Sequence, residues 1–151
     1  MQGWSTDKSR TVITWASLGS PPELYVLSPH KDAKPQPITA VNAQFLKEKR
    51  FADFEQFSFK GWNDETVYGY VVKPIGLTTG QTYPVVFIVH GGPQTSFAND
   101  WSWRWNPQVY AGAGYGVVFL DFHGSPGYGQ ALPTQSVRTG EANPWSTCKK
   151  V

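Results

Sequence analysis

His90-Gly91-Gly92-Pro93 is the first stretch of this sequence able to do chemistry, and it directly follows an apolar run, Pro84 to Val89 (PVVFIV). Two glycines at the C-terminal end of a strand let the backbone turn tightly and leave N–H groups facing a crevice. Amides placed in this way can hold the negative charge that develops on a carbonyl oxygen under nucleophilic attack. The Gly91 amide, with Gly92 as the alternative, is therefore a candidate for half of an oxyanion hole. Four residues of this kind can equally be a plain turn that needs room.

An oxyanion site needs a nucleophile, and no G-x-S-x-G elbow occurs anywhere in the chain. Gly124-Ser125-Pro126-Gly127 has the wrong spacing and reads as a loop at the end of a strand. We assign no Ser–His–Asp triad, so no catalytic residue is expected beyond the two glycine amides. His30 falls in a turn and His123 on the G-S-x-G loop, where surface or packing roles are expected. His90 reads as a residue that fixes the turn rather than as a base. Cys148 is the only cysteine, which rules out an internal disulfide and argues against a cysteine-based metal site. No metal and no organic cofactor is expected. Trp101, Trp103 and Trp105 stand at i, i+2 and i+4. On a strand they would share one aromatic face able to stack on sugars or bases. That keeps open a non-catalytic carbohydrate- or peptide-binding β-rich module as the alternative function.

Two kinds of element must position these residues. In the first part of the chain, Thr11 to Ala16 and Glu23 to Leu27 read as short strands bounded by Gly19-Ser20-Pro21-Pro22 and by Pro29. Gln36 to Thr39 adds a third short piece. Close spacing with turn signals between suits a propeller blade or a sandwich. Residues 41–50 form a polar, helix-prone connector. Phe54 to Lys60 and Thr66 to Lys73 then read as a hairpin turned by Gly61 to Glu65. Pro84 to Val89 is apolar on both faces, as expected of a strand in the centre of a sheet. Asn106 is a good N-cap, Pro107 suits the first helical position and Gly114 can stop the helix. Gly116 to Asp121 (GVVFLD) is a second fully apolar strand. The chain therefore reads as all-β and then α/β, with the change near residue 48. A hairpin feeding a strand–helix–strand unit predicts a mixed sheet that begins antiparallel and turns parallel.

Composition supports a folded, strand-rich chain: 15% of its 151 residues are aromatic, 40% hydrophobic and only 16% charged. A net charge of +2 without a basic run gives no reason to expect a nucleic-acid partner. The longest apolar run, Val85 to Val89, is too short to span a bilayer, so no membrane segment is expected. Gln2 to Asp7 do not form a signal peptide. The cellular location stays open.

The run Gly114 to Gly129, which contains GVVFLD and then Gly124-Ser125-Pro126-Gly127-Tyr128-Gly129, resembles the strand end of the S9 (prolyl oligopeptidase) serine peptidases. There a short polar stretch and then G-S-x-G-Y-G follow a H-G-G-P loop at this spacing. Phe57-Ser58-Phe59 and Val67 to Pro74 look like that family's first hydrolase strands. Asp100 to Pro107 is similar to the loop of bacterial dipeptidyl-peptidase and acylaminoacyl-peptidase-like members. The resemblance spans residues 20–130. It implies an α/β fold: an incomplete α/β-hydrolase sheet preceded by the last strands of a β-propeller. Residues 1–48 would be the end of the propeller and the connector, and residues 49–130 the N-terminal part of the hydrolase domain. The intact protein would hydrolyse oligopeptides, and the family's triad would lie downstream.

Residues 131–151 break the pattern, showing neither helical nor strand periodicity. Read one base earlier, the possible codons from Thr139 to Val151 permit D-W-G-G-K-P-L-(V/E)-D-L-Q-K-G, and those from Leu132 to Val137 permit F-T-D-S-I-R. Both strings follow the family at this point. Residues 131–151 are accordingly expected to be an out-of-frame tail, with no function attached to Cys148 or Trp145.

Overall fold

The structure is a computed structural model that describes residues 2–7, 9–61, 64–92, 94–122 and 124–128. The expected tail, Cys148, His123 and Pro93 lie outside the described residues. The chain divides into two units, one of residues 1–51 and 99–108, the other of residues 52–98 and 109–151.

The first unit holds a four-stranded antiparallel sheet in the order β1 (Gln2–Asp7), β2 (Arg10–Ser17), β3 (Ser20–Leu27), β4 (Gln36–Pro37). Strand β2 is rich in β-branched residues, buries Ile13 at 3% exposure and turns into β3 through Leu18-Gly19. After β4 the chain is tied back to β3 by one carboxylate. Glu23 accepts from the Thr39 hydroxyl, from the Asn42 N–H at 2.8 Å and from the Asn42 side chain at 3.0 Å. These bonds, the Thr39 hydroxyl first, hold the Glu23 carboxyl below its ordinary value. The connector contains the short helix α1 (Ala43–Lys47), which buries no residue. Segment 99–108 belongs to this unit: Asn99 Oδ1 accepts from the Leu18 N–H at 2.9 Å, and Trp101 meets Phe51 edge-on at 5.8 Å.

The second unit is a mixed sheet in the order β5 (Phe54–Lys60), β6 (Thr66–Val72), β8 (Gly116–Asp121), β7 (Val85–Ile88), with helix α2 (Pro107–Gly112) between β7 and β8 in the chain. β5 and β6 form the expected hairpin, closed by Gly61 N–H on the Glu65 carbonyl at 2.8 Å. β6 pairs antiparallel with β8, and β8 pairs parallel with β7. Asn106 caps α2 as expected, its Oδ1 accepting from the Gln108 N–H at 2.9 Å. The close approach of β5, β6 and β8 requires a glycine at 69. A Cβ there would stand 2.6 Å from Leu120 Cδ2 and 2.8 Å from both the Phe119 carbonyl oxygen and Phe57 Cζ.

The two apolar runs have different fates. Strand β8 lies between β6 and β7 and is the buried heart of the unit, with Val117, Phe119 and Leu120 at 0–1% exposure. Strand β7, whose composition suits the centre of a sheet, is an edge among the described residues. Val85 is 63%, Phe87 40% and Val89 55% exposed. The reason is pairing: among the described strands β7 hydrogen-bonds to β8 alone, and these three side chains stay partly in water.

Candidate functional site

The site begins where β7 and β8 end side by side. A parallel pair brings both C-terminal ends to the same edge of the sheet, so His90 after β7 meets Asp121 at the end of β8. The side chains of His90 and Asp121 are 6% and 2% exposed. The His90 imidazole lies flat on Phe122, with ring centres 4.2 Å apart, and meets Phe97 at an angle at 5.7 Å.

Both ring nitrogens of His90 are engaged. Nδ1 stands 2.9 Å from the Gly91 carbonyl oxygen. Thr95 Oγ1 is 2.8 Å from the same nitrogen, and the Thr95 hydroxyl donates to the same Gly91 carbonyl. Nε2 lies 3.0 Å from Ser125 Oγ and 3.8 Å from Asp121 Oδ1.

Asp121 is buried but well supplied with donors. It accepts from the Ser96 hydroxyl at 2.7 Å, the Phe97 N–H at 3.0 Å and the Tyr128 hydroxyl at 2.8 Å. Tyr128 stacks on Tyr68 with centres 4.6 Å apart. Burial, followed by the bond to Asp121, pushes the Tyr128 phenol far above its ordinary value of 10. The Tyr70 phenol is also raised, by burial first and then by the Asp121 charge.

Serine, histidine and aspartate thus meet in one cluster, but not in the arrangement of a catalytic triad. A triad places the aspartate on the Nδ1 proton and the serine on Nε2. Here Ser125 and Asp121 both face Nε2, and Nδ1 is held by main chain and Thr95. Ser125 is 0% exposed, so no substrate carbonyl can reach its Oγ. The cluster is a scaffold that anchors the loop after β7 to the end of β8.

Gly91 and Gly92 lie at the surface on this scaffold. Among the described residues neither of their N–H groups has an acceptor. Gly91 has open space where a Cβ would be. Gly92 does not: its φ is +126°, and a Cβ would sit 2.8 Å from the Gln94 nitrogen and 3.0 Å from Thr95 Oγ1. Glycine is therefore a backbone requirement at 92, while at 91 it leaves the approach clear.

The other residues singled out from sequence do not join this site. His30 is exposed in a turn, where its carbonyl accepts from the Ala33 N–H at 3.0 Å. Trp101, Trp103 and Trp105 lie on irregular backbone, not on a strand, so the shared aromatic face does not form. Trp101 meets Trp103 edge-on at 5.4 Å, while Trp105 lies under Arg104 at 5.2 Å. Among the described residues no three His, Cys, Asp or Glu side chains group to hold a metal, and no helix is long and apolar enough to cross a membrane. Sequence reasoning missed Thr95, Ser125 and Asp121 as partners of His90, and Ser96 as a partner of Asp121. The available signal was Asp121, a carboxylate that closes a fully apolar strand and must find donors once buried.

No protein-family model matches the chain. Among curated proteins it is 38% identical over 104 residues to dipeptidyl-peptidase 4 of Giardia intestinalis, a match that covers 67% of this chain and 14% of that protein. It is 34% identical over 125 residues to dipeptidyl-peptidase 5 of Aspergillus fumigatus, covering 82% of this chain and 17% of the relative. Dipeptidyl-peptidase 5 of Schizosaccharomyces pombe is 44% identical over 77 residues, or 51% of this chain and 11% of that one. The chain thus spans less than a fifth of the length of these relatives. Among solved structures, an acylaminoacyl peptidase of Pyrococcus horikoshii superposes with a TM-score of 0.76 at 23% identity, covering 99% of this chain and 23% of that one. Dipeptidyl peptidase 4 of Porphyromonas gingivalis gives 0.67 at 22% identity, over 89% of this chain and 20% of that one. At these identities the superpositions show a common fold.

Proposed function

We propose, from the premise that this chain is related to the S9 serine peptidases, that it is the N-terminal part of the catalytic domain of a serine-type oligopeptidase of the dipeptidyl or acylaminoacyl type. The observation that carries the reading is the pair of exposed, unengaged glycine amides at the C-terminal end of β7, fixed to β8 by His90. In this reading residues 1–48 are the last propeller strands and connector, and residues 49–130 open the hydrolase sheet. The strand order β5-β6-β8-β7 supports it, because it leaves the free edge of β7 for the strand that would bear a nucleophile elbow.

A serine from that elbow would attack the peptide carbonyl, with a histidine and an aspartate taking the roles of base and orienting group. The oxyanion would be held in part by the Gly91 or Gly92 amide. The substrates would be short peptides, admitted past the propeller, and this chemistry uses no metal or organic cofactor. Among the described residues the serine that meets His90, Ser125, is buried and misaligned for a triad, which supports reading these 151 residues as inactive by themselves. The test compares the longer protein with the 151-residue chain on aminoacyl- and dipeptidyl-nitroanilides. Hydrolysis by the longer protein alone is expected. Hydrolysis by the 151-residue chain, or by neither, overturns the reading.

A further inference from the structure

We propose that the Lys49-Arg50 pair is a processing site, where an endopeptidase specific for Lys and Arg cuts a peptide bond flanking Arg50 and leaves two pieces that stay together. The inference goes beyond the oligopeptidase reading and does not depend on it.

Such an endopeptidase needs a cationic side chain free to enter a pocket that carries a carboxylate, and a backbone it can bind in extended form. Lys49 and Arg50 are both exposed. Among the described residues neither forms an ion pair, and Lys49 rests only on the exposed ring of Phe45, at 5.5 Å. The backbone is held weakly. Helix α1, which precedes the pair, has five residues, buries none and lacks a side-chain cap, and so short a helix has little stability of its own. The Lys49 N–H donates to the Leu46 carbonyl at 3.1 Å, but neither the Arg50 nor the Phe51 N–H has an acceptor among the described residues. Exposed, irregular backbone of this kind opens locally at little cost, which is what nicking requires.

The other described Lys and Arg residues each lack one of these features. Lys34 and Lys73 precede Pro35 and Pro74, and a proline after the cut has no N–H and restricts the residue before it. Lys31 and Lys47 precede Asp32 and Glu48, whose carboxylates the carboxylate of the pocket repels. Arg10 and Lys60 lie in paired strands, β2 and β5. Arg104 is the nearest rival, on irregular backbone. Its guanidinium, however, lies on Trp105 at 5.2 Å, and the Trp105 N–H donates to Ser102 Oγ at 3.0 Å.

The cut adds water across one peptide bond, leaving a carboxylate on Lys49 or Arg50 and an ammonium on the residue that follows. The pieces stay joined because the first unit is built from both sides of the cut, from residues 1–51 and 99–108. Leu18, only 3% exposed, belongs to the N-terminal piece, and its N–H donates to Asn99 Oδ1 of the C-terminal piece at 2.9 Å.

The experiment treats the longer protein with a low ratio of trypsin, beside a Lys49→Gln/Arg50→Gln variant, and identifies the first cut within residues 1–130 by mass spectrometry. The C-terminal piece should begin at Arg50 or Phe51. The two pieces should co-elute from a size-exclusion column in native buffer and separate in urea. The variant should lose this cut while its urea midpoint stays parental, because both side chains are exposed and unpaired. An earlier cut elsewhere in the range, such as after Arg104 or Lys60, overturns the proposal. So does the absence of any cut there, a cut that persists in the variant, or separation of the pieces in native buffer. Nitroanilide hydrolysis by the uncut protein is measured beside these, so a failure of the oligopeptidase reading shows separately.

Discussion

A polypeptide of these 151 residues, prepared without the rest of the length spanned by its relatives, should fold poorly, and the structure says by how much. Val85, Phe87 and Val89 of the β7 run each leave about half of the side chain in water. Burying a large apolar side chain is worth about 1.5–3 kcal/mol, so the three together forgo about 2–5 kcal/mol. A whole domain is stable by only about 5–15 kcal/mol, so the deficit is a substantial fraction of the total. Among the described residues the outer edge of β7 has no partner strand, an invitation to intermolecular pairing. The assay is size-exclusion chromatography, near-ultraviolet circular dichroism and urea unfolding of the purified chain, beside a Val85→Lys/Phe87→Thr variant. Association, weak near-ultraviolet signal and a broad transition are expected for the parent chain, with less association in the variant. A monomeric parent chain that unfolds cooperatively with about 5 kcal/mol or more would refute the reasoning.

Four further outcomes follow from the same contacts. In the longer protein, Asp121→Ala strands the Ser96 and Tyr128 hydroxyls and the Phe97 N–H, and should cost about 3–5 kcal/mol by chemical denaturation. Gly69→Ala drives a Cβ against the Phe119 carbonyl, which cannot yield as a side chain can, and should cost about 1–3 kcal/mol in the same assay. The Tyr128 phenol titrates above its ordinary value of 10, so the fold favours its neutral form. Its contribution to stability is present below pH 10 and is lost as pH rises toward its raised folded value. Comparing the alkaline unfolding of the parent with that of Tyr128→Phe checks this, and identical alkaline profiles would contradict it. Finally, the coding DNA read one base earlier across the codons for residues 139–144 should spell D-W-G-G-K-P, and a different reading there removes the out-of-frame account of the tail.

Much of the fold was legible because local chemistry and tertiary structure agree. Asn106 and Pro107 announce the start of α2, the Phe54–Lys60 and Thr66–Val72 pair announces a hairpin, and GVVFLD announces a buried strand. Strand β1 was not legible. QGWSTD has no apolar alternation, and its conformation is fixed by pairing with β2, Gln2 opposite Thr14. The β7 run reports what it is suited to pack against and not what is beside it, because an all-apolar strand carries no record of its neighbours. The site was half legible: spacing points to Gly91 and Gly92, but not to how they are held. Asp121 and Ser125 come to His90 only through the parallel register of β7 and β8, which no local pattern encodes.

The central claim is that the glycine loop serves a serine supplied from beyond this segment. A fluorophosphonate, which labels activated serines covalently, tests it most directly when the longer protein is reacted and the modified residue is mapped by mass spectrometry. Labelling at a serine within a downstream G-x-S-x-G, with Ser125 untouched, is the result the account predicts. Labelling at Ser125, or of no serine in a protein that still cleaves peptides, would contradict it.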